Sequence, residues 1–225
     1  MHIIARIRTD FPDKFGIPRQ SGLVEQLQGK IVFEPEYRSA DALRRLDEFS
    51  HIWLLWKFQG TERERWSATV RPPRLGGNER VGVFATRSPF RPNGIGLSCV
   101  RLERIEPETG EGPVIYVLGA DLMDGTPIYD IKPYIPYTDC RPEASGGYTD
   151  RTAEHRLSVD FPPELLELLP PDRRAAAVKI LEQDPRPMYQ NDPERVYGLK
   201  FAGFDLRFCV DGDRLSVCQA VPLEK

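Results

Sequence analysis

Proline occupies 21 of the 225 positions, and no other property of the chain limits its fold so strongly. Each proline fixes φ near −65° and removes a backbone donor, so long helices are disfavoured and many loops are set in shape. The limit is tightest in ATRSPFRPNGIGLS, residues 85–98. Pro89 and Pro92 push Ser88 and Arg91 into extended backbone, which holds Arg87 and Arg91 on stiff chain rather than free in solvent. Asn93-Gly94 suits a type I′ turn between two strands. Gly94-Ile95-Gly96 is a fragment of a dinucleotide fingerprint, but LSCVRLERI behind it has the character of a strand, which argues against a Rossmann crossover. Backbone this bare also lets a ligand approach closely.

The rest reads as mainly β, then changes texture. Strands are expected in MHIIARIR, in HIWLLWKF (51–58, as a fully buried strand), in RVGVFATR, in IGLSCVRLERI and in PVIYVLGADLMDG. A short helix is expected in ADALRRLDEF, capped by Ser39. After about residue 150, PPELLELLPPDRRAAAVKILEQ predicts two short helices broken at Pro170 and Pro171, and FDLRFCVDGDRLSVCQAV predicts a hairpin turning at Asp211-Gly212. The fold class is therefore mainly β with an α+β appendage. An N-terminal domain spans 1–155, and a small C-terminal domain of short helices and a β-hairpin spans 156–225.

A net charge of −3 argues against a nonspecific nucleic-acid coat, yet it hides a gradient. Between Arg63 and Arg101 eight arginines face two acids, Glu64 and Glu79. The planar guanidinium suits phosphate and carboxylate; the same pattern also suits a solvated rim with ion pairs to the acidic remainder. Cys99, Cys140, Cys209 and Cys218 form no C-x-x-C pair and His2, His51 and His155 are scattered, so free thiols of a reducing cytosol and no metal site are expected. Only Ile3, Ile4 and Ala5 run together before Arg6, so no signal peptide is expected there, and no apolar run reaches the ~20 residues of a membrane span.

In GADLMDGTPIYDIKPYIPYTD, residues 119–139, acids alternate with tyrosines on proline-stiffened backbone. Such a segment could receive a cation and stack a purine, or simply turn at Asp124-Gly125 and pack its aromatics. Trp53 and Trp56 are expected in the core, Cys99 as a buried thiol and His51 as a packing residue.

Four segments, KFGIPRQSGLV, FSHIWLLWKF, RPPRLGGNERVGVFATRSPFRPNGIGLS and DLMDGTPIYDIKPYIPYTD, resemble in this order the TrmO family, over roughly residues 1–140. The residues after 150 look like the small C-terminal domain of its bacterial members. The resemblance implies an N-terminal β-barrel and a cytoplasmic homodimer. It also implies an S-adenosylmethionine-dependent enzyme that methylates the exocyclic amine nitrogen of threonylcarbamoyl-adenosine beside the tRNA anticodon. Carried over by motif, cofactor contacts fall on Pro18, Arg19, Gln20, Gln59, Gly60, Arg87, Leu97, Asp124, Gly125, Thr126 and Pro127.

Two departures stand out. Gly94 replaces the second proline of the usual R-P-N-P-I-G, so if the resemblance holds Asn93-Gly94 is not a simple hairpin turn. Gln59-Gly60 stands where many relatives have a histidine-containing pair. A proton acceptor for the nitrogen is expected among Asp121, Asp124, Asp130, Tyr134 and Tyr137. The catalytic assignment is Asp124, Tyr134 and Tyr137, with the Asp124 region favoured for the proton and Tyr134 or Tyr137 available to stack the target base. Arg71, Arg74, Arg80 and Arg91 are expected to meet the RNA. The competing reading is a noncatalytic RNA- or nucleotide-binding β-barrel.

Overall fold

The computed structural model describes residues 1–60, 66–72, 75, 79–152, 155–186 and 192–224. Arg74, expected at the RNA face, lies outside them. In chain order the first half contains β1 (Ala5–Arg8), β2 (Gln28–Phe33), β3 (His51–Lys57), β4 (Thr69–Val70), β5 (Val81–Gly82), β6 (Ile95–Glu106), β7 (Val114–Leu118), β8 (Pro127–Pro133) and the one-turn α1 (Pro136–Asp139). Six of these strands close a barrel in the order β1-β2-β7-β6-β3-β8. Every pairing in it is antiparallel, so the barrel contains no crossover of the dinucleotide-binding kind. β4 and β5 form a separate ribbon within the long β3–β6 connection.

Period-two alternation fills the barrel. Ile52, Leu54 and Trp56 of β3 point inward, against Ala5, Ile7, Ile31, Val100, Ile115, Val117 and Ile128. Each fully buried aliphatic side chain stabilises the fold by about 1.5–3 kcal/mol. The expectation of a fully buried β3 is therefore corrected: His51, Trp53, Leu55 and Lys57 line an outer, half-exposed face. Trp53 is not core. Its indole N–H donates to Asp139 Oδ2 at 2.9 Å on the outer wall.

Three further expectations change. ADALRRLDEF forms 3-10 turns at Ala40–Leu43 and Leu46–Glu48, split by Arg45 at φ 69°, and Ser39 makes no side-chain cap. So short a segment is marginal as a free α-helix, and these turns set Leu43 and Leu46 against the barrel core. RVGVFATR is extended only at Val81–Gly82 before a 3-10 turn at Val83–Ala85. PVIYVLGADLMDG is a strand only to Leu118.

The second half contains β9 (Ser158–Asp160), α2 (Pro163–Leu166), α3 (Pro171–Glu182), β10 (Tyr197–Phe201), β11 (Phe204–Asp211) and β12 (Arg214–Pro222). Prolines open both helices, as expected where a missing N–H costs nothing. The sheet order is β10-β11-β12-β9. Asp211 pairs with Arg214, so the hairpin loop is Gly212-Asp213 with Gly212 at φ 55°, the pattern of a type II′ turn one residue beyond the expected one. The core of this sheet takes in Phe11, Val24 and Leu27 from the β1–β2 loop. Phe11 meets Phe201 with ring centroids 5.2 Å apart. The β1–β2 loop is thus built between the barrel and the second sheet.

Candidate active site

Antiparallel closure decides which loops meet. Lys57 at the end of β3 pairs with Ile95 at the start of β6, Leu118 at the end of β7 with Gln28 at the start of β2, and Arg6 of β1 with Pro127 at the start of β8. The β1–β2, β3–β6 and β7–β8 loops therefore leave the same end of the barrel. They carry the PRQ, RSPFRPNG and DGTP segments, and side chains join them. Arg87 Nη1 donates to Gln20 Oε1. Gln59 Nε2 donates to Gly125 O at 3.1 Å, and Arg6 Nη1 reaches the same carbonyl at 3.4 Å.

The 123–126 turn is closed by Thr126 N–H donating to Met123 O at 3.2 Å, with Gly125 at φ 74° in third position as a type II turn requires. It is sewn to β1 by Gly125 N–H to Ile7 O at 2.8 Å and Ile7 N–H to Thr126 O at 3.1 Å. Thr126 is buried and donates its hydroxyl to Met123 O at 2.7 Å. Pro127 heads β8 and is buried.

The opening segment has its own architecture. Arg91 donates to the carbonyls of Thr86 at 2.6 Å and Val83 at 3.3 Å, and its guanidinium sits 5.9 Å from the Phe84 ring centroid. It braces its own loop. Ile95 N–H donates to Asn93 O at 2.8 Å, a tight turn centred on Gly94, and neither Asn93 nor Gly94 has a positive φ. Asn93-Gly94 is accordingly not a type I′ turn, and the backbone at 94 suits proline. A Cβ on Gly96 would meet the Trp56 indole at 2.3–2.6 Å, so the ring lies directly over that glycine.

Beneath the loops runs a polar chain that sequence reading treated only in pieces. Trp56 Nε1 donates to Ser98 Oγ at 2.9 Å, and Ser98 Oγ donates to Asp121 Oδ1 at 2.6 Å. Ser98 is 1% exposed. The signal for it was available: Gly96, Ser98 and Val100 share the inward register of a strand, and an inward serine needs a partner. Cys99 N–H donates to Ser21 Oγ at 3.1 Å, bringing the residue after Gln20 onto β6. Burial pushes the Asp121 carboxyl up to about 6. It outweighs the Ser98 hydroxyl, Asp121's own backbone N–H, the charge of Arg87 and the Ser21 N–H, all of which favour the anion.

The other expected residues are distributed around this cluster. Pro18 is buried, and Arg19 Nη2 reaches the carbonyls of Asp184 and Arg186 beyond α3, each at 3.5 Å. Gly60 is exposed at φ 62°. Leu97 points outward from β6 and is 52% exposed. Asp124 turns away to β1, where its Oδ1 accepts the Thr9 N–H at 3.0 Å and its Oδ2 lies 3.7 Å from Arg8. Asp130 accepts its neighbour's N–H and pairs with Lys132 at 2.8 Å.

Tyr134 leaves β8 at the far end from Pro127, about 20 Å along the strand. Its ring lies on the outer wall against Trp53 and His51, at 5.7 and 6.2 Å. Tyr137 follows on α1, 86% exposed. The structure thus does not gather Asp124, Tyr134 and Tyr137 at one point. Arg71 and Arg80 are exposed, the latter reaching Thr69 Oγ1 at 3.3 Å. Cys99 is half-buried, and burial pushes its thiol up, away from a nucleophile's range.

This arrangement fits S-adenosylmethionine chemically. Arg87 supplies a cation for a carboxylate, Gln20 and Gln59 supply amides for polar groups, and the 123–126 turn supplies backbone groups. Among the described residues no helix is long and apolar enough to cross a membrane.

Comparison with known proteins gives the same picture at the level of the whole chain. The profile of the tRNA-methyltransferase O N-terminal domain matches residues 6–140, and that of the TrmO C-terminal domain matches residues 154–223. A protein of Escherichia coli named tRNA (adenine(37)-N6)-methyltransferase is 42% identical over 216 residues, covering 92% of this chain and 91% of that one. A putative S-adenosylmethionine-dependent methyltransferase of Pseudomonas aeruginosa is 39% identical over 220 residues, covering 91% and 90%. The crystal structure of TrmO from Pseudomonas aeruginosa superposes with a TM-score of 0.78 at 32% identity, over 99% of this chain and 97% of that one.

Proposed function

The chain belongs to the tRNA-methyltransferase O family, and from that membership we propose how its barrel end works as the active site of an S-adenosylmethionine-dependent tRNA methyltransferase. The reaction is methylation of the N6 nitrogen of the adenine beside the anticodon, which we read as its threonylcarbamoyl form. One observation carries the placement of the site: the three loops with the family's cofactor motifs leave one barrel end and are tied together there by Arg87–Gln20 and Gln59–Gly125.

When bound, S-adenosylmethionine supplies a methyl group on a positively charged sulfur, ready for in-line transfer to nitrogen. In this reading Pro18 and Arg19 shape the first loop, and Arg87 with Gln20 and Gln59 binds the polar ends of the cofactor. Gly60, Leu97 and the Asp124–Pro127 turn complete its surroundings. Arg8 and the Thr9 N–H hold Asp124 so that it shapes the turn rather than exchanging protons. Arg71 and Arg80 meet phosphates, with Arg74 beside them in sequence, while Arg91 braces the loop that faces the RNA. Tyr134 and Tyr137 stack bases of the anticodon arm arriving along the outer wall.

We take the enzyme to act in the cytoplasm as a homodimer, which would cover the exposed Leu97 and Phe84. The barrel domain is taken to end near residue 155. The test is mass spectrometry of tRNA nucleosides from a bacterial strain lacking its own family member. This chain should restore the methylated threonylcarbamoyl nucleoside, and Arg87→Ala should not. A noncatalytic RNA-binding barrel would restore nothing and would show no heat of binding with S-adenosylmethionine.

A further inference from the structure

Methylating N6 of a ureido-bearing adenine removes a proton from a poorly nucleophilic nitrogen, and that proton needs a place to go. Three carboxylates come into question on the β7–β8 segment. Asp124 is engaged by the Thr9 N–H and Arg8, and Asp130 by the Ile131 N–H and Lys132. Asp121 differs from both. It is half-buried as a residue, three residues before the 124–127 turn, and its desolvated carboxyl is in range of the Ser21 N–H and the Arg87 charge. One oxygen accepts the Ser98 hydroxyl, itself fixed by the Trp56 indole, so the group has one orientation.

We propose that Asp121 is the proton acceptor of the methyl transfer, positioned by the Trp56–Ser98 chain and lying next to the Gln20–Arg87 contact. This rests on the reading of the barrel end as the methyltransferase site. In the step, the N6 lone pair forms the new N–C bond and the sulfur keeps the electron pair of the broken S–C bond. The N6 proton passes to an Asp121 oxygen and from there to water. The charge count closes: a cationic sulfur and a carboxylate become a neutral thioether and a carboxylic acid.

The surroundings suit a base in neutral solution. Arg87 is the charged group facing Asp121 from the β3–β6 loop; β3 and β6 present the uncharged Trp56 and Ser98, and the β1–β2 loop presents the Ser21 N–H. A carboxyl that ionises near 6 is anionic in neutral solution yet a stronger base than an ordinary aspartate.

The test combines single-turnover methylation of tRNA carrying the threonylcarbamoyl group, from pH 5 to 8.5, with titration calorimetry of S-adenosylmethionine. Asp121→Asn preserves shape and the acceptor for Ser98. It should lower the rate by about 100-fold or more while leaving cofactor affinity within about threefold, and it should abolish the rise in rate through pH 6. Ser98→Ala removes a hydrogen bond to the anion and should move that rise to higher pH. Carboxyl carbon NMR should show one aspartate titrating near 6 that is absent from Asp121→Asn. An Asp121→Asn enzyme that keeps the wild-type rate and pH profile would overturn the assignment and leave the methyltransferase reading intact. Equal losses of rate and cofactor affinity would make Asp121 a binding residue and also overturn it. A wild-type protein that binds S-adenosylmethionine but never methylates this tRNA would remove the reading and the assignment together.

Discussion

Arg87 and Gln20, sixty-seven positions apart, meet in a direct hydrogen bond across the mouth of the barrel. Neither lies on a strand, so the contact locks two loops rather than two elements of the sheet, and it leaves the remaining guanidinium donors of Arg87 for an anionic group. Arg87→Ala should therefore weaken S-adenosylmethionine binding by about tenfold or more, ~1.4 kcal/mol, with thermal stability nearly unchanged. Arg87→Lys should recover only part of the loss, because a single ammonium cannot serve Gln20 and a carboxylate together. Titration calorimetry on the three proteins checks the order.

Gly96 and Gly94 should respond in opposite ways. Gly96→Ala drives a methyl into the Trp56 ring, with backbone on one side and barrel core on the other. A cost of about 1–3 kcal/mol in urea denaturation is expected. At Gly94 the nearest atom to an added Cβ is Phe58 Cβ at 3.9 Å, and φ is not positive. Gly94→Pro should leave the fold intact and raise stability by about 0.4–1 kcal/mol through the unfolded state.

The Asp121 carboxyl carries a stability signature of definite sign. Unfolded, it ionises near its ordinary 3.8; folded, near 6. Between those values the folded protein holds more of the proton, so this group's contribution to stability falls as pH rises through the window and stays low above it. Asp121→Asn lacks that loss. Relative to wild type it should gain up to ~3 kcal/mol between pH 3.5 and pH 7.5. Urea midpoints at the two pH values measure it, and a difference that does not change with pH would contradict it.

The second sheet should matter to cofactor binding without touching the cofactor. Phe201 is fully buried against Phe11, and Arg19 reaches the carbonyls that follow α3. Phe201→Ala should cost about 3–5 kcal/mol and weaken S-adenosylmethionine binding measured well below the melting temperature. Arg19→Ala should weaken binding with a smaller effect on stability.

How much of this was readable from the chain differs by element. Four strands of the barrel, β1, β3, β6 and β7, stood out by their runs of Val, Ile and aromatic residues; β2 and β8 did not, because QGKIVF is short and PIYDIKP is bounded by prolines and broken by charges. β3 did not reveal its two faces, since the five residues between His51 and Lys57, IWLLW, are all apolar and only the two ends of the strand mark the outside. Trp53 and Trp56 look alike in sequence, and only the register against β6 and β8 separates them. The motif segments were legible as a set, but Gln20 and Arg87 are joined by closure of a barrel whose strand order follows from long-range pairing. Ser98 could have been found by counting two from Gly96. The place of Phe11 in the second core could not, because its partner Phe201 lies 190 residues away on another sheet.

A crystal structure grown with S-adenosylmethionine tests the central claim most directly. The account predicts the cofactor at the barrel end between the Gln20–Arg87 contact and the Asp124–Pro127 turn, with its carboxylate toward Arg87. A cofactor seated on the outer wall beside Trp53 and Tyr134, or on the sheet of β9 to β12, would contradict it.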